Sequence, residues 1–531
     1  MGSRLSASLG TYDAGVTRLL NRAPRLAALG LGVALLVGIE LLLRVAGVAD
    51  PRDRPDPFGG FSPFSPTFAL ETDAAGRRIY VAKESQTPTR RFLAEKPDNG
   101  FRVFVFGGST EAGTPYGYDY AFAEFLRGQL AQALPQRHVE VVNVAAPGYA
   151  SRRLLYLARE AEAFEPDLFV ISTGHNEVVE QRLYAHLYEQ PQWSFELQQA
   201  LRQLRLYGLV EGAAQWLREP ARPELDSGKV YAPVFGPFAS KYWQDAPRDV
   251  QRQRTLALSM FRSNVDQMIR IAERAGADVL LLSQSKNYAD WPATGDTHAE
   301  EMPPADLAAW ERHVARADAF EQAGDSAGAI RELEAALRLD PGFTRVHWRL
   351  AQLHRERGEH VRAYARYREA HNTALANFGT TPLRNRALRE LADERDTLWL
   401  DVDRVFEDES SDRLVGFNYF IDFLHPNLAG HLLIARRSFE LLRDEGIPLE
   451  SDRWQEPREL ARPENLHRQN PSLRVREVKN RIVAEMLSER GDLALAYLDQ
   501  LRSLAPDDPQ IPRIESWMAG EGQLDFGIVN R

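Results

Sequence analysis

A serine and a histidine–aspartate pair are the side chains of this sequence best suited to acyl chemistry. Ser109 follows Gly107 and Gly108, and Asp422 stands three residues before His425. A serine hydroxyl is a weak nucleophile until a neighbouring base takes its proton during attack on an acyl carbon. Imidazole suits that task because it titrates near neutrality, and a carboxylate one turn away can orient the ring and stabilise its charged form. These residue types make Ser109 a candidate nucleophile, with His425 and Asp422 as the candidate base and its orienting group.

The glycine-rich turn before Ser109 has other interpretations. Such a turn after a strand can bind phosphate, but no Gly-Lys-Ser/Thr sequence follows it, so a P-loop is not indicated. The lipase-type Gly-x-Ser-x-Gly elbow does not match either, because Glu111 stands where its last glycine belongs. The two glycines still allow a tight strand-to-helix turn that exposes the hydroxyl.

The elements that position these residues alternate between strand and helix. Short apolar runs typical of buried strands lie at residues 101–106, 139–144, 168–172, 278–283 and 398–402. Helical patterns lie between them at residues 120–134, 151–164, 249–275 and 382–396. This alternation predicts a parallel sheet covered on both faces, and ligands of such sheets bind at the carboxyl ends of the strands.

Two further motifs follow predicted strand ends. Gly148 comes shortly after the second strand, and Gly-His-Asn-Glu at residues 174–177 follows the third. With the Ser109 turn and the Asp-x-x-His pair, these four blocks resemble, in this order, those of the SGNH/GDSL hydrolases. The resemblance covers residues 101–182, 277–291 and 398–442, with Gly-Gly-Ser for Gly-Asp-Ser and Glu177 where much of the family has Asp. It implies an α/β fold, a flavodoxin-like three-layer sandwich with a parallel sheet of about five strands.

The resemblance also implies the site residues. It assigns the catalytic triad to Ser109, Asp422 and His425. It assigns the oxyanion hole to the backbone N–H groups of Ser109 and Gly148 and to the side-chain amide of Asn176. Loss of one such donor typically costs about 3 kcal/mol of transition-state stabilisation. Taken singly, Gly148 is interpreted as a turn glycine, Asn176 as a loop cap and Asp422 as a solvated carboxylate, so the assignment depends on the joint pattern.

Other polar residues near the strand ends have secondary assignments. Asn287, Asp290 and Trp291 follow the fourth strand, so they are expected to face the active edge and are predicted substrate contacts. His175, beside the oxyanion asparagine, is interpreted as a supporting or structural residue.

Composition limits the cofactors and partners. The 531 residues carry a formal net charge of -10, which argues against a general nucleic-acid binder. Cysteine is absent, which excludes disulfides, thiolate metal centres and a cysteine nucleophile. A metal site from Asp422, His425 and His431 lacks a further ligand cluster, so no metal is expected. No cofactor is expected either, because acyl-serine chemistry requires none.

Residues 26–48 form an apolar run that is interrupted only by Glu40 and Arg44. As a helix this run would be about 35 Å long, enough for a bilayer core of about 30 Å. Four arginines precede it within residues 1–25, so the positive-inside tendency places the N-terminus in the cytoplasm. The pattern predicts a single-pass inner-membrane anchor with an extracytoplasmic catalytic domain. A cleaved signal peptide and a buried core helix are the alternatives.

Residues 308–376 repeat with a period of 34 residues. The matching pairs are Gly324 and Gly358, Ala329 and Ala363, Leu333 and Tyr367, and Ala336 and Ala370. Small residues where paired helices would touch resemble two tetratricopeptide repeats. Two repeats are marginal as a free solenoid, so they are expected to lean on the catalytic domain or on the C-terminal helices. Because solenoid repeats commonly offer extended binding surfaces, a protein partner is expected here.

The predicted organisation follows from these segments. Residues 1–25 are cytoplasmic, 26–48 form the anchor, and 49–99 form a stalk and lead-in. The catalytic domain takes residues 100–300 and 381–447, interrupted by the repeats at 301–380, and a C-terminal helical region with a degenerate repeat takes 448–531. Residues 181–219 are rich in aromatic and leucine side chains and are interpreted as a helical cap, part of which walls the acyl or leaving-group pocket.

Three functions are consistent with this pattern. The first is hydrolysis of an oxygen ester on an extracytoplasmic substrate, for which a glycan is one candidate. The second is O-acyl transfer by the same triad to a cell-envelope polysaccharide or another alcohol. The third is a catalytically inactive repeat-containing scaffold for protein partners, against which the complete set of Ser109, Asn176, Asp422 and His425 argues. The acyl group and the alcohol are not specified by the sequence.

Overall fold

The computed structural model describes residues 28, 30–49, 66–82, 90–183, 192–217, 250–293, 295–296, 298, 302–374, 379–458, 461–487 and 490–521. The chain divides into two compact units. Residues 1–65 and 186–224 form the first unit, and residues 66–185 and 225–531 form the second. The predicted cytoplasmic segment at residues 1–25, the start of the predicted stalk, and residues 184–191 and 218–219 of the predicted cap lie outside the described residues.

Eighteen α-helices occur within the described ranges. They are α1 (residues 30–45), α2 (Phe122–Ala133), α3 (Ser151–Ala161), α4 (Glu177–Leu183), α5 (Gln192–Arg202), α6 (Arg205–Leu217), α7 (Val250–Ala275), α8 (Pro304–Gln322), α9 (Ser326–Leu339), α10 (Thr344–Glu356), α11 (His360–Thr373), α12 (Pro382–Arg395), α13 (Val402–Glu409), α14 (Leu428–Asp444), α15 (Pro463–Gln469), α16 (Pro471–Leu487), α17 (Gly491–Leu504) and α18 (Ile511–Met518).

Five parallel strands form the central sheet of the second unit. In spatial order they are β5 (His138–Asn143), β4 (Gly100–Phe106), β6 (Leu168–Ser172), β7 (Asp278–Leu282) and β8 (Leu398–Leu400). Numbered within the sheet, this order is 2-1-3-4-5, the flavodoxin-like arrangement. The predicted fold class is therefore confirmed. The strand order reverses between β4 and β6, so the turn after β4 lies at the point where ligands of open α/β sheets bind.

Both faces of this sheet are covered, because each strand sends alternate side chains to opposite sides. Along β4, Phe101, Val103 and Val105 join one core cluster, whereas Phe104 and Phe106 join the other. Helices α2 and α14 contribute to the first cluster, and α3, α7 and α12 contribute to the second. The continuous apolar runs seen in the sequence are therefore strands buried on both faces.

A small antiparallel sheet occupies part of the predicted lead-in. Its strands β1 (Phe68–Thr72), β2 (Arg78–Ala82) and β3 (Arg91–Leu93) lie in the order β1-β2-β3. Leu93 N–H donates to the Glu140 carboxylate of β5 at 2.7 Å, and the Arg102 guanidinium donates to the Leu93 carbonyl at 2.8 Å. The later part of the predicted lead-in is thus folded onto the amino ends of β4 and β5.

The two repeats pack differently. Helices α8 and α9 share an apolar cluster with α10. Ala363, Tyr364 and Tyr367 of α11 instead belong to the core cluster beside the central sheet. His371 of α11 also hydrogen-bonds the carbonyls of Tyr288 and Trp291, at 3.2 and 3.1 Å. The second repeat is therefore built into the core of the second unit.

The C-terminal helices bury a separate apolar cluster, formed by side chains of α16, α17 and α18. This region also contacts the sheet domain. The Tyr116 hydroxyl donates to Glu477 of α16 at 2.9 Å, and the Arg490 guanidinium donates to the Asp290 carbonyl at 3.0 Å. The C-terminal region thus reaches two of the loops that follow the strands.

In the first unit, Glu40 of α1 joins that helix to the start of α6. Its carboxylate accepts the backbone N–H groups of Arg205 and Leu206 at 3.1 and 3.0 Å, and Arg44 donates to it at 2.9 Å. A carboxylate at a helix N-terminus satisfies free N–H groups and favours the helix dipole. The predicted cap is helical where it is described, as α5 and α6. Its role as a pocket wall stays a prediction.

Several large apolar side chains of α1 are exposed, among them Leu31, Leu35, Leu42 and Val45. Of the predicted anchor at residues 26–48, the structure describes residues 28 and 30–48. Across the described residues, no helix combines the length and the apolar character that crossing a bilayer requires. A membrane-spanning helix at residues 26–48 is therefore not supported, whereas attachment to a membrane stays a prediction.

Candidate active site

The turn that carries Ser109 depends on both of its glycines. A Cβ atom at Gly107 would lie 2.2 Å from the Glu111 side chain, and one at Gly108 would lie 2.6 Å from the amide nitrogen of Asn176. Neither distance is compatible with a side chain. In this structure the Asn176 amide occupies the space that a side chain at position 108 would need.

The structure brings Ser109, His425 and Asp422 together in one hydrogen-bonded series. His425 Nε2 lies 2.8 Å from the Ser109 hydroxyl oxygen, and His425 Nδ1 lies 2.6 Å from Asp422 Oδ2. The other carboxylate oxygen, Oδ1, accepts the backbone N–H groups of Leu424 and His425 at 2.9 and 2.8 Å. Two backbone N–H groups therefore hold Asp422 Oδ1, and Asp422 Oδ2 orients the imidazole.

Segment 287–291 after β7 supports the loop that carries Asp422 and His425. The backbone N–H of Asn287 donates to the Phe423 carbonyl at 3.0 Å, and its side-chain amide donates to the Asp422 carbonyl at 3.1 Å. The Trp291 ring packs against the Phe423 ring, with centroids 5.5 Å apart. This loop is thereby fixed relative to the sheet.

The three predicted substrate contacts take part in this support. Asn287 is fully buried, and its amide is used in the hydrogen bond to the loop. Asp290 accepts the Phe417 N–H at 3.0 Å and pairs with Arg355 of α10 at 3.0 Å. Trp291 is partly exposed and lies beside the loop that carries Asp422 and His425. Substrate contact by these residues stays a prediction, whereas their part in holding the loop is a finding that the sequence did not indicate.

The predicted oxyanion donors lie on the neighbouring turns. Gly148 has a φ of 77°, a left-handed conformation that favours glycine. Within the described residues, neither Gly148 N–H nor Ser109 N–H has a hydrogen-bond partner. The Asn176 amide donates to the Tyr149 carbonyl at 2.9 Å, which ties it to the same loop. An amide NH2 has two donors, so one hydrogen remains for an oxyanion.

Two buried glutamates hold the loop that contains Gly148. Glu177 accepts the Ser151 N–H at 2.9 Å and the Ser151 hydroxyl at 2.8 Å, and Glu180 accepts the Ala150 N–H at 2.9 Å. These N–H groups belong to the start of α3. Burial raises the pKa of Glu177 to about 7, despite these hydrogen bonds. Glu177, which stands where much of the resembling family has Asp, therefore caps α3 behind the loop that contains Gly148.

The sequence analysis did not identify three buried polar residues near the site, Glu111, Glu177 and Gln284. All three are nearly inaccessible to solvent. Each directly follows a strand or the turn after it, where a polar side chain enters an otherwise apolar environment. This position after a buried strand could have indicated that the side chains are buried, but only the structure reveals their hydrogen-bond partners.

His431, the third residue of the metal alternative, is completely buried on α14. Burial lowers its pKa to about 3, and among the described residues neither ring nitrogen has a hydrogen-bond partner. No group of three or more histidine, aspartate or glutamate side chains within the described ranges is arranged to hold a metal ion.

Comparison with known proteins gives one family match and several structural likenesses. Residues 309–353 match the model of the tetratricopeptide repeat. No curated protein matches the chain. An acetylxylan esterase, Axe2 from Geobacillus stearothermophilus, is 12% identical over 66% of this chain and 96% of its own, with a TM-score of 0.29. A putative lipolytic protein of the G-D-S-L family from Desulfitobacterium hafniense is 12% identical over 64% of this chain and 99% of its own, with a TM-score of 0.28.

Proposed function

We propose that this chain is an ester hydrolase of the SGNH/GDSL type that forms an acyl intermediate on Ser109. One observation carries the proposal: Ser109, His425 and Asp422 form a continuous hydrogen-bonded series, with distances of 2.8 and 2.6 Å. Within this series, Ser109 lies on the turn after β4, at the point where the strand order of the sheet reverses. A serine, a base and a group that orients the base are the components that nucleophilic acyl transfer requires.

The reaction follows from the positions of these groups. His425 Nε2 takes the hydroxyl proton while Ser109 Oγ attacks the acyl carbon, and Asp422 stabilises the resulting imidazolium. The tetrahedral oxyanion accepts hydrogen bonds from Ser109 N–H, Gly148 N–H and the free amide hydrogen of Asn176. His425 then returns the proton to the leaving alcohol, and water attacks the acyl-serine in the same way to release the acid.

Labelling with a fluorophosphonate tests this proposal. The Ser109 oxygen of the full-length chain is expected to displace fluoride and form a stable phosphonyl ester. The Ser109→Ala variant should show no labelling, because the nucleophile is absent. Ser438→Ala is a matched control, since Ser438 is a completely buried serine well along α14, and it should label like wild type. Absence of labelling in correctly folded wild-type protein would refute the proposal.

The oxyanion assignment has its own test. Asn176→Ala removes one donor but leaves the triad intact, so the rate of hydrolysis of p-nitrophenyl acetate should fall by about 100-fold or more. Binding of the ester should change little, because the donor acts on charge that develops only in the transition state. A loss confined to KM would contradict the assignment of Asn176 to the oxyanion hole.

We also propose that residues 26–48 attach the chain to the inner membrane, with the catalytic unit outside the cytoplasm. Support comes from the apolar composition of this segment and from its exposed leucine and valine side chains. Glu40 is already engaged with Arg44 and with the start of α6, so it adds little polarity to that surface. Recovery of the full-length chain in the soluble fraction after gentle lysis would contradict this proposal.

We further propose that the repeats bind a protein partner. The match to the tetratricopeptide repeat supports this, and the first repeat is the more available part because the second is built into the core. Cross-linking from engineered cysteines on α8 provides the test in this cysteine-free chain. The absence of any cross-linked protein in the native host would refute it.

A further inference from the structure

A buried polar network lies directly behind the turn that carries Ser109, and Glu111 is at its centre. Glu111 Oε2 accepts the Gly108 N–H at 2.7 Å and the Thr110 hydroxyl at 2.5 Å. Glu111 Oε1 accepts the Ser172 hydroxyl at 2.9 Å and the Gln284 amide at 3.1 Å. One carboxylate therefore joins the turn after β4 to the ends of β6 and β7.

The Gln284 amide also binds Ser172, with the amide nitrogen 2.5 Å from the hydroxyl oxygen. Its NH2 group is thus directed at both Glu111 and Ser172, which sets the orientation of the amide. His175 lies next to this network, and its Nδ1 accepts the Thr380 N–H at 3.0 Å. Burial and the nearby Lys286 lower the pKa of His175 well below its usual value.

The Glu111 carboxylate accepts its hydrogen bonds from neutral donors: a backbone N–H, two hydroxyls and an amide. It is 4% exposed, and within the described residues no lysine, arginine or histidine forms an ion pair with it. Its backbone carbonyl also accepts the Asn143 amide at 2.7 Å, which adds the end of β5. A buried carboxylate costs free energy unless several hydrogen bonds satisfy it. An apolar residue would fill the same space without that cost, so the carboxylate is expected to serve the geometry of the turn.

We infer that Glu111 is a positioning residue for the acyl chemistry proposed above: it holds the Ser109 turn and, through Ser172 and Gln284, fixes that turn to the ends of β6 and β7. The inference rests on the proposed function, because it concerns the activity of Ser109. Capture of the Gly108 N–H fixes the Gly107–Gly108 peptide, which lies one residue before the nucleophile. The Ser109 hydroxyl then stays within 2.8 Å of His425 Nε2, and Ser109 N–H stays free for the oxyanion.

Two isosteric substitutions separate positioning from simple loss of a buried group. Glu111→Gln replaces one acceptor oxygen by NH2, which must face either the Gly108 N–H or the Gln284 amide nitrogen. Gln284 cannot rotate to accept it without losing its hydrogen bond to the Ser172 hydroxyl. Gln284→Glu alone places two carboxylates together.

The double variant restores the pairing. The amide oxygen introduced at position 111 accepts the Gly108 N–H, and the new NH2 group donates to the carboxylate introduced at position 284. The Ser172 hydroxyl, which now accepts from Gln284, can turn to donate to the same carboxylate. The partners are therefore satisfied again, with the two functional groups exchanged.

The test is the kinetics of fluorophosphonate labelling on the full-length chain. Each single variant should lose about 100-fold in the maximal labelling rate with little change in the half-saturating concentration, since a displacement of about 1 Å has this effect on a reacting group. The double variant should return to within about tenfold of wild type. The reciprocal rescue shows that the two positions act through one pairing, and the Glu140→Gln control described below separates that pairing from a general loss of stability. A double variant as slow as the slower single variant would overturn the inference.

Glu140→Gln is the matched control. Glu140 is also a buried carboxylate of the same sheet, but it pairs with Arg102 at 2.7 Å near the amino ends of the strands. Its loss should lower the urea midpoint while leaving the maximal labelling rate unchanged. If Glu140→Gln slows labelling as much as Glu111→Gln, the loss reflects stability and the inference fails. An unlabelled wild type refutes the proposed function itself, which distinguishes the two failures.

Discussion

Asp422→Asn is expected to lower the labelling and esterase rates by about 10⁴-fold, without loss of the fold. The Asn oxygen can still accept the two backbone N–H groups that Asp422 Oδ1 binds at 2.9 and 2.8 Å. Its NH2 group then faces His425 Nδ1, where a carboxylate oxygen stood at 2.6 Å. The imidazole responds by accepting at Nδ1 and carrying its proton on Nε2. Nε2 then donates to Ser109 and cannot act as its base.

The control for this experiment is Asp412→Asn. Asp412 likewise accepts a backbone N–H, that of Leu414, at 3.0 Å, but the bond involves no histidine. The same chemical change should therefore leave both rates unchanged. Measurement of the maximal labelling rate and of kcat for p-nitrophenyl acetate checks the prediction. An Asp422→Asn variant that keeps the wild-type rate would show that another group orients His425.

Arg368→Ala is expected to destabilise the catalytic unit by about 3–5 kcal/mol near pH 8, because it leaves a buried carboxylate without its cation. Arg368 of α11 reaches Asp403 of α13 at 3.0 Å, and Asp403 also accepts the Ser285 hydroxyl at 2.7 Å. Burial raises the pKa of Asp403 to about 6, against the opposing influence of Arg368. In the variant that opposition is removed, so the pKa rises further.

The pH dependence of this loss has a definite sign. A carboxyl group whose pKa is higher in the folded protein than in the unfolded chain lowers stability as pH rises between the two values. In wild type this window runs from about 4 to about 6. In Arg368→Ala it extends upward, so the loss should be smaller at pH 5, where Asp403 binds a proton, than at pH 8. Urea unfolding followed by tryptophan fluorescence at both pH values provides the measurement.

Arg366→Ala is the matched control on the same helix. Arg366 pairs with Glu334 at 3.9 Å on the surface, and such pairs contribute about 1 kcal/mol or less. Its removal should shift the unfolding midpoint little, and equally at both pH values. A pH-independent loss in Arg368→Ala would show that packing against Tyr364 and Tyr288, rather than the charge of Asp403, accounts for the role of Arg368.

The positions of the strands and the candidate triad were open to prediction because both depend on local patterns. Apolar runs of five or six residues between helical patterns predicted the five parallel strands. Residues that follow the ends of parallel strands converge on one edge of the sheet. The resemblance of four such blocks to those of the SGNH/GDSL hydrolases then paired Ser109 with His425 across 316 positions of the chain. The period of the repeats is likewise a local property, and the match at residues 309–353 agrees with it.

The hydrogen bonds of Glu111 could not be predicted from local sequence patterns. Its partners come from three separate strand ends, so no spacing in the sequence relates them, and a glutamate after a turn is ordinarily expected to be exposed. For the same reason Asn287 and Asp290 were interpreted as substrate contacts, since their position at the active edge was predictable but their hydrogen bonds to residues 417–423 were not.

The sequence by itself determined the α/β class, the strand positions and the repeat, which follow from periodicity over a few neighbouring residues. It also determined the candidate nucleophile, base and acid, through the resemblance of four short blocks to those of the SGNH/GDSL hydrolases. Only the tertiary structure decided that the second repeat enters the core beside the central sheet, that Glu177 caps α3, and that Glu111 hydrogen-bonds the turn that carries Ser109. Each of these depends on which distant polar groups satisfy one another once water is excluded, and that pairing is a property of the packed chain.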